Sequence, residues 1–78
     1  LENSRQYQDA AKMYEGLVSN FDRESSAEFL AAAGRCYHAL HQNAEAARVL
    51  QKLIDDFGDT SFAGLARIHL AEYTTEAR

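Results

Sequence analysis

Apolar residues return at three- and four-residue steps in four stretches of this chain, and they nowhere alternate with period two for long enough to make a strand. The pattern predicts four amphipathic helices and an all-α fold. A first helix over about 5–20 carries Ala10, Met13, Tyr14, Leu17 and Phe21 on or beside one stripe, expected to face a core. A second, opening at Ser25 and stopping near His41, aligns Ala27, Leu30, Ala33, Gly34, Tyr37 and Leu40, with Gly34 placed to let a neighbouring helix come close. Ser25-Ser26-Ala27-Glu28 has the spacing of a capping box, in which hydroxyl and carboxylate satisfy each other's backbone N–H groups. A third helix, N-capped by Asn43, buries Ala46, Val49, Leu50, Leu53, Ile54 and Phe57 and ends at Gly58, expected in a left-handed conformation. Asp59, Thr60 and Ser61 are expected to offer oxygens to the first amides of a fourth helix, whose inner face holds Phe62, Leu65, Ala66, His69, Leu70 and Tyr73. Links of two to five residues force successive helices antiparallel, as stacked hairpins.

The pattern is also written twice. Residues 8–37 and 44–73 align at an offset of 36, with seven identities: Ala10/Ala46, Ala11/Ala47, Leu17/Leu53, Phe21/Phe57, Ser25/Ser61, Ala27/Ala63 and Tyr37/Tyr73. Seven further pairs keep their character, Lys12/Arg48, Met13/Val49, Tyr14/Leu50 and Val18/Ile54 among them. A repeat of this length is one supersecondary unit that buries its apolar face only against neighbours. The chain therefore divides into a half repeat over 1–24, a full repeat over 25–60 and a half repeat over 61–78, all in one helical domain. Its first and last helices each lack a neighbour, so Met13, Tyr14 and Leu17 at one end and Leu65, Ile68 and Leu70 at the other are expected to be exposed apolar faces through which the chain self-associates as a homo-oligomer.

The second and third helices together resemble one tetratricopeptide repeat, on the strength of Leu30, Ala33, Gly34 and Tyr37 followed by Ala46, Leu50 and Leu53. The first helix resembles the second half of a preceding repeat (Ala10, Tyr14, Leu17) and the fourth the first half of a following one (Ala66, Leu70, Tyr73). The offset of 36 departs from the family's usual 34, with the extra length in the links 21–25 and 57–61. That aromatic–turn–Ser/Thr pattern is similar to tetratricopeptide proteins of the bacterial envelope, such as Tol-Pal coordinators, outer-membrane assembly lipoproteins and the ancillary translocon subunit. The resemblance implies a right-handed superhelix of antiparallel hairpins and a location in the periplasm or cell envelope, with the cytoplasm as the other possibility; because the stretch opens at Leu1 without a methionine and in the middle of a repeat, further sequence with any targeting or anchoring segment is expected outside it. It also implies a concave groove that takes a partner's peptide or helix, lined by Glu28, Ala31, Ala32, Arg35 and His38 and by Arg67, Ile68, Ala71 and Thr74. Arg35 and Arg67 would pair there with a ligand's carboxylates unless solvated or held by Glu28 and Glu72. Ala31, Gly64 and Ile68 stand where a clamp for chaperone tails needs polar groups, which disfavours that ligand.

Composition narrows the function further. The net charge of −4, with eight Lys and Arg scattered among twelve acids, speaks against a nucleic-acid surface. No apolar run is long enough for a bilayer-spanning helix, so direct membrane insertion by this segment is not expected. His38 and His41, three apart with Glu45 nearby, make an incomplete metal set, and His69 falls on the packed face, where a structural role is expected. Cys36, the single cysteine, has the environment of a small, half-buried apolar residue. No phosphate-binding loop and no nucleophile–base constellation is present, so no catalytic residue, metal or cofactor is expected. The expected function is a non-catalytic scaffold that binds a protein or peptide; the alternative is a segment that positions or oligomerises a larger enzyme or regulator.

Overall fold

The computed structural model describes residues 2–18 and 21–76, with side chains for 5–18 and 21–75. Four helices follow one another, α1 (Glu2–Leu17), α2 (Arg23–Ala39), α3 (Asn43–Asp56) and α4 (Ala63–Glu76), and the described residues contain no strand. The chain is all-α. Each helix forms an antiparallel hairpin with the next, and of the other pairs only α2 and α4 approach one another, in a slab of 35 × 27 × 14 Å. The core runs along the slab through Ala11 and Val18 of the first hairpin, Ala27, Leu30, Ala33 and Tyr37 of α2, Ala46, Val49, Leu50 and Leu53 of α3, and Ala63, Ala66 and Tyr73 of α4.

The stripes expected of α2 and α3 are the buried faces, because each of these helices has a neighbour on both flanks. Gly34 lies against α3 so closely that a Cβ there would stand 3.1 Å from Leu50 Cδ2 and 3.6 Å from Val49 Cγ2. The outer helices depart from their inward stripes at the expected end faces: Met13, Leu65 and Ile68 are exposed, whereas Tyr14, Leu17 and Leu70 are half-buried. α1 begins and ends about one turn earlier than expected; the terminus foreseen at Asn20 lies outside the described residues. Its buried positions are Ala11 and Val18, while Met13 and Phe21 are 56% and 53% exposed and Ala10, Tyr14 and Leu17 are half-buried. In α4, Leu65 is 52% exposed rather than inward, since no helix covers its far side.

The helix ends also depart in detail. α2 opens at Arg23, with Asp22 as N-cap: its carboxylate accepts the Ser25 N–H at 3.2 Å, and interaction with the Ser25 side chain, then with this N–H, holds the Asp22 carboxyl below the usual aspartate range. Asp22 thus performs the capping expected of Ser25. The buried Ser26 hydroxyl lies 3.2 Å from the Val18 carbonyl and 3.3 Å from that of Phe21, securing the turn between α1 and α2. At the other end of α2, the His41 N–H donates to the His38 carbonyl and the Gln42 N–H to the Tyr37 carbonyl, both at 2.9 Å, with His41 at φ 60°. This is a Schellman termination with histidine in the left-handed position. α3 starts at Asn43, one residue earlier than an Asn43 cap requires, with Gln42 as N-cap and no side-chain capping bond. Gly58 does not have positive φ; glycine is required there because a Cβ would lie 2.7 Å from the Ile54 carbonyl oxygen.

The α3–α4 link, residues 57–62, is one residue longer than expected and is tied back to the start of α2 rather than forward to α4. Arg23 pairs with Asp59, donates to the Asp56 carbonyl at 2.7 Å and lies over the Phe57 ring at 5.1 Å. The Ser61 hydroxyl donates to Glu24 at 2.6 Å, and the Thr60 hydroxyl to the Phe57 carbonyl at 2.7 Å. The oxygens expected to cap α4 are thus engaged elsewhere.

Candidate functional site

An open groove of about 650 Å3 lies between α3 and α4, lined by Ala47, Arg48 and Gln51 from one helix and by Arg67, Leu70, Ala71 and Thr74 from the other. The spacing on α4, with lining residues at successive turns, makes the groove run along the helix. Its floor is small and apolar, from Ala47, Leu70 and Ala71, and its rims are polar.

The Arg48 rim is fixed. Its Nε donates to Glu45 at 2.6 Å and its Nη2 to Glu15 at 3.0 Å, while the other Glu15 oxygen accepts the Tyr37 hydroxyl. These hydrogen bonds, led by that to Glu45, hold Arg48 protonated beyond its ordinary range. Burial, together with the Glu15 carboxylate, pushes the Tyr37 phenol up to about 12. Thr74 donates back to the carbonyls of Leu70 at 2.9 Å and Ala71 at 3.1 Å. Arg67, on the opposite rim, makes no hydrogen bond or ion pair among the described residues, so its guanidinium is available to an incoming carboxylate.

Of the groove residues expected from sequence, Arg67, Ala71 and Thr74 meet here, joined by Leu70 from the expected end face. Ile68 is 58% exposed beside the groove and does not line it. Glu28, Ala31, Arg35 and His38 lie on α2, away from it. Glu28 and Arg35 are exposed and unpaired with each other, Ala31 is half-buried, and the His38 ring packs at 4.1 Å on Tyr73, which His69 also stacks on at 5.7 Å. His38, His41 and Glu45 do not converge, and the described residues hold no group of three or more His, Cys, Asp or Glu able to share a metal ion. Cys36 is half-buried, and burial pushes its thiol up. No described helix is long and apolar enough to cross a membrane.

Ala47, Arg48 and Gln51 were not foreseen, yet the repeat offset contains the signal for them. Moved back by 36, the groove residues become Ala11, Lys12 and Glu15 on α1 and Ala31, Gly34, Arg35 and His38 on α2. At that earlier position α3 is seated, with Leu50 and Val49 against Gly34 and Arg48 on Glu15. Ala11 is correspondingly fully buried, whereas Ala47 remains half-buried at the groove. The groove is the second, open copy of a seat that a helix fills in the first.

Compared with models of known families, with curated proteins and with solved structures, the chain finds no match.

Proposed function

We propose that this chain is a non-catalytic protein-interaction module of tetratricopeptide type that receives an amphipathic helix of a partner in the groove between α3 and α4. The observation that carries this reading is the internal equivalence just described: the same repeat positions, one repeat earlier, hold α3. The chemistry of the groove specifies the partner's face. Small and aliphatic side chains meet Ala47, Leu70 and Ala71, where removal from water contributes about 25 cal/mol per Å2 of apolar surface. A carboxylate on the same helix meets Arg67, a charge-assisted contact that selects the partner and its orientation.

A synthetic peptide with the sequence of residues 42–57, α3's own, is the direct probe, since it carries the face that fills the equivalent seat. Fluorescence anisotropy of the labelled peptide, titrated with the full chain, is expected to show saturable binding that Ala47→Glu weakens at least tenfold, because its counterpart Ala11 is fully buried where the seat is filled. Ala47 is half-buried at the open groove, and circular dichroism checks that the substituted chain keeps its helicity. Failure of the unsubstituted chain to bind the peptide at millimolar concentration would overturn the reading.

A further inference from the structure

We infer that the helix filling the groove is α1 of a second copy of this chain, so that copies join head-to-tail with residues 7–78 of the incoming copy taking the places 72 positions further along the repeat. This rests on the reading of the groove as a helix seat and names its occupant.

Three observations support it. First, α1 carries the seat-filling pattern of α3 at an offset of 36: Ala10, Met13, Tyr14, Leu17 and Phe21 stand where α3 has Ala46, Val49, Leu50, Leu53 and Phe57. In α3 the first four of these are no more than 1% exposed, whereas Met13 and Phe21 are 56% and 53% exposed. The pattern that α3 uses to sit on α2 is therefore present on α1, where Met13 and Phe21 are exposed while Ala10, Tyr14 and Leu17 are half-buried, Tyr14 against Phe29 of α2.

Second, the other end of the chain shows the complementary deficit. Ile68 is 58% exposed although its counterpart Ala32 is 5% exposed, and Leu65 is 52% exposed where Phe29 is half-buried. The incoming α1 and α2 would cover α4 as α3 and α4 cover α2. Leu70 stands in place of Gly34, so the incoming helix rides further from α4 than α3 does from α2. Met13, unbranched and flexible, suits the altered spacing better than the valine it replaces.

Third, the polar contacts between successive repeats remain compatible. Arg23 and Asp59 occupy the same repeat position and pair within the chain. In the joined copies Asp59 of one faces Arg23 of the next across the same repeat step, again with opposite charges. The contact of Arg48 with Glu15 becomes one of Lys12 with Gln51, an ammonium facing an amide oxygen. No like charges are brought together at these positions. The two faces differ, so the contact is heterologous, and since each copy continues the stack by the same repeat step the copies are expected to add on one after another as an open chain.

Sedimentation equilibrium of the full chain from micromolar to millimolar concentration, with Met13→Glu and Ala47→Glu beside it, tests this. The unsubstituted chain is expected to gain mass with concentration without a plateau. Each variant alone is expected to stay monomeric, and their equimolar mixture to form a heterodimer and go no further, because one intact face remains on each partner. Met13 is exposed and Ala47 half-buried at the groove, and circular dichroism checks that helicity is kept; Phe21→Lys and Thr74→Lys replace any variant that loses it. A parent chain that stays monomeric throughout overturns the inference, as does a parent that associates while the mixed variants remain monomers, which signifies a symmetric contact. A monomeric parent that still binds the α3 peptide removes the second copy as occupant and leaves the proposed function standing.

Discussion

His41 is the one described non-glycine residue with positive φ, at 60°, and it holds the C-terminal turn of α2 in a conformation that glycine adopts without a Cβ penalty. A left-handed conformation costs an ordinary L-residue about 1–2 kcal/mol. An imidazolium near a helix C-terminus recovers only about 0.3–1 kcal/mol, and only when charged. The strain is the larger effect, so His41→Gly is expected to stabilise the chain by about 0.5–1 kcal/mol, raising Tm by several degrees in thermal unfolding at pH 8. A fall in Tm would show that the imidazole contributes more than the strain costs. Gly34 presents the opposite case, since space rather than φ requires it. Gly34→Val is expected to cost about 1–3 kcal/mol by urea unfolding, because new methyl groups must displace the fully buried Leu50. The role of Gly34 was legible from its place on an apolar helical stripe. That of Gly58 was not: its closeness to the Ile54 carbonyl depends on how the chain leaves α3, which composition alone does not reveal.

Among elements, a polar tie joins the first three helices. Glu15 of α1 accepts from Tyr37 of α2 and from Arg48 of α3, and Tyr37 is 4% exposed. Glu15→Ala leaves a buried hydroxyl without its acceptor and is expected to cost about 1–3 kcal/mol in chemical unfolding. A double-mutant cycle with Tyr37→Phe should show the two changes to be less than additive, and full additivity would contradict the contact. Ionisation supplies a separate check. With its folded pKa at about 12, raised from 10.0 by burial and then by Glu15, the neutral phenol contributes stability that is complete below pH 10 and is lost as pH rises towards 12. Absorbance titration near 295 nm should reveal one phenol ionising near pH 12, a step that Tyr37→Phe removes. The stripes of α2 and α3 were legible in the sequence because these helices are covered on both flanks and obey the simple periodic rule. Those of α1 and α4 were legible only as a repeat: periodicity marks which residues suit a neighbour, and Met13, Phe21, Leu65 and Ile68 suit neighbours that the single chain does not supply. The groove was half legible for the same reason, its α4 wall through the family resemblance and its α3 wall only through the offset.

For the molecule as a whole, size sets the terms. A chain of 78 residues buries roughly 60–65% of the surface its unfolded form exposes, so its stability depends strongly on each added interface. In a stacked array, stability is close to a sum of unit terms and nearest-neighbour terms. A covalent tandem in which residues 1–78 are followed directly by 7–78 keeps the offset of 72 and places the second copy's α1 where the groove of the first can receive it. If the groove and the α1 face match, the tandem unfolds in one transition, at a higher midpoint than the single chain and with an m-value roughly doubled, because the two halves now expose their surface together. Ala47→Glu in the first half alone should then return the midpoint and m-value to those of the single chain, since it puts a charge where the filled seat buries Ala11 completely. If the faces do not match, the tandem behaves as two tethered domains, with unchanged midpoint and m-value and no response to that substitution. Tethering removes the dependence on protein concentration, so the tandem measures the fit of the two faces separately from whether free copies find one another.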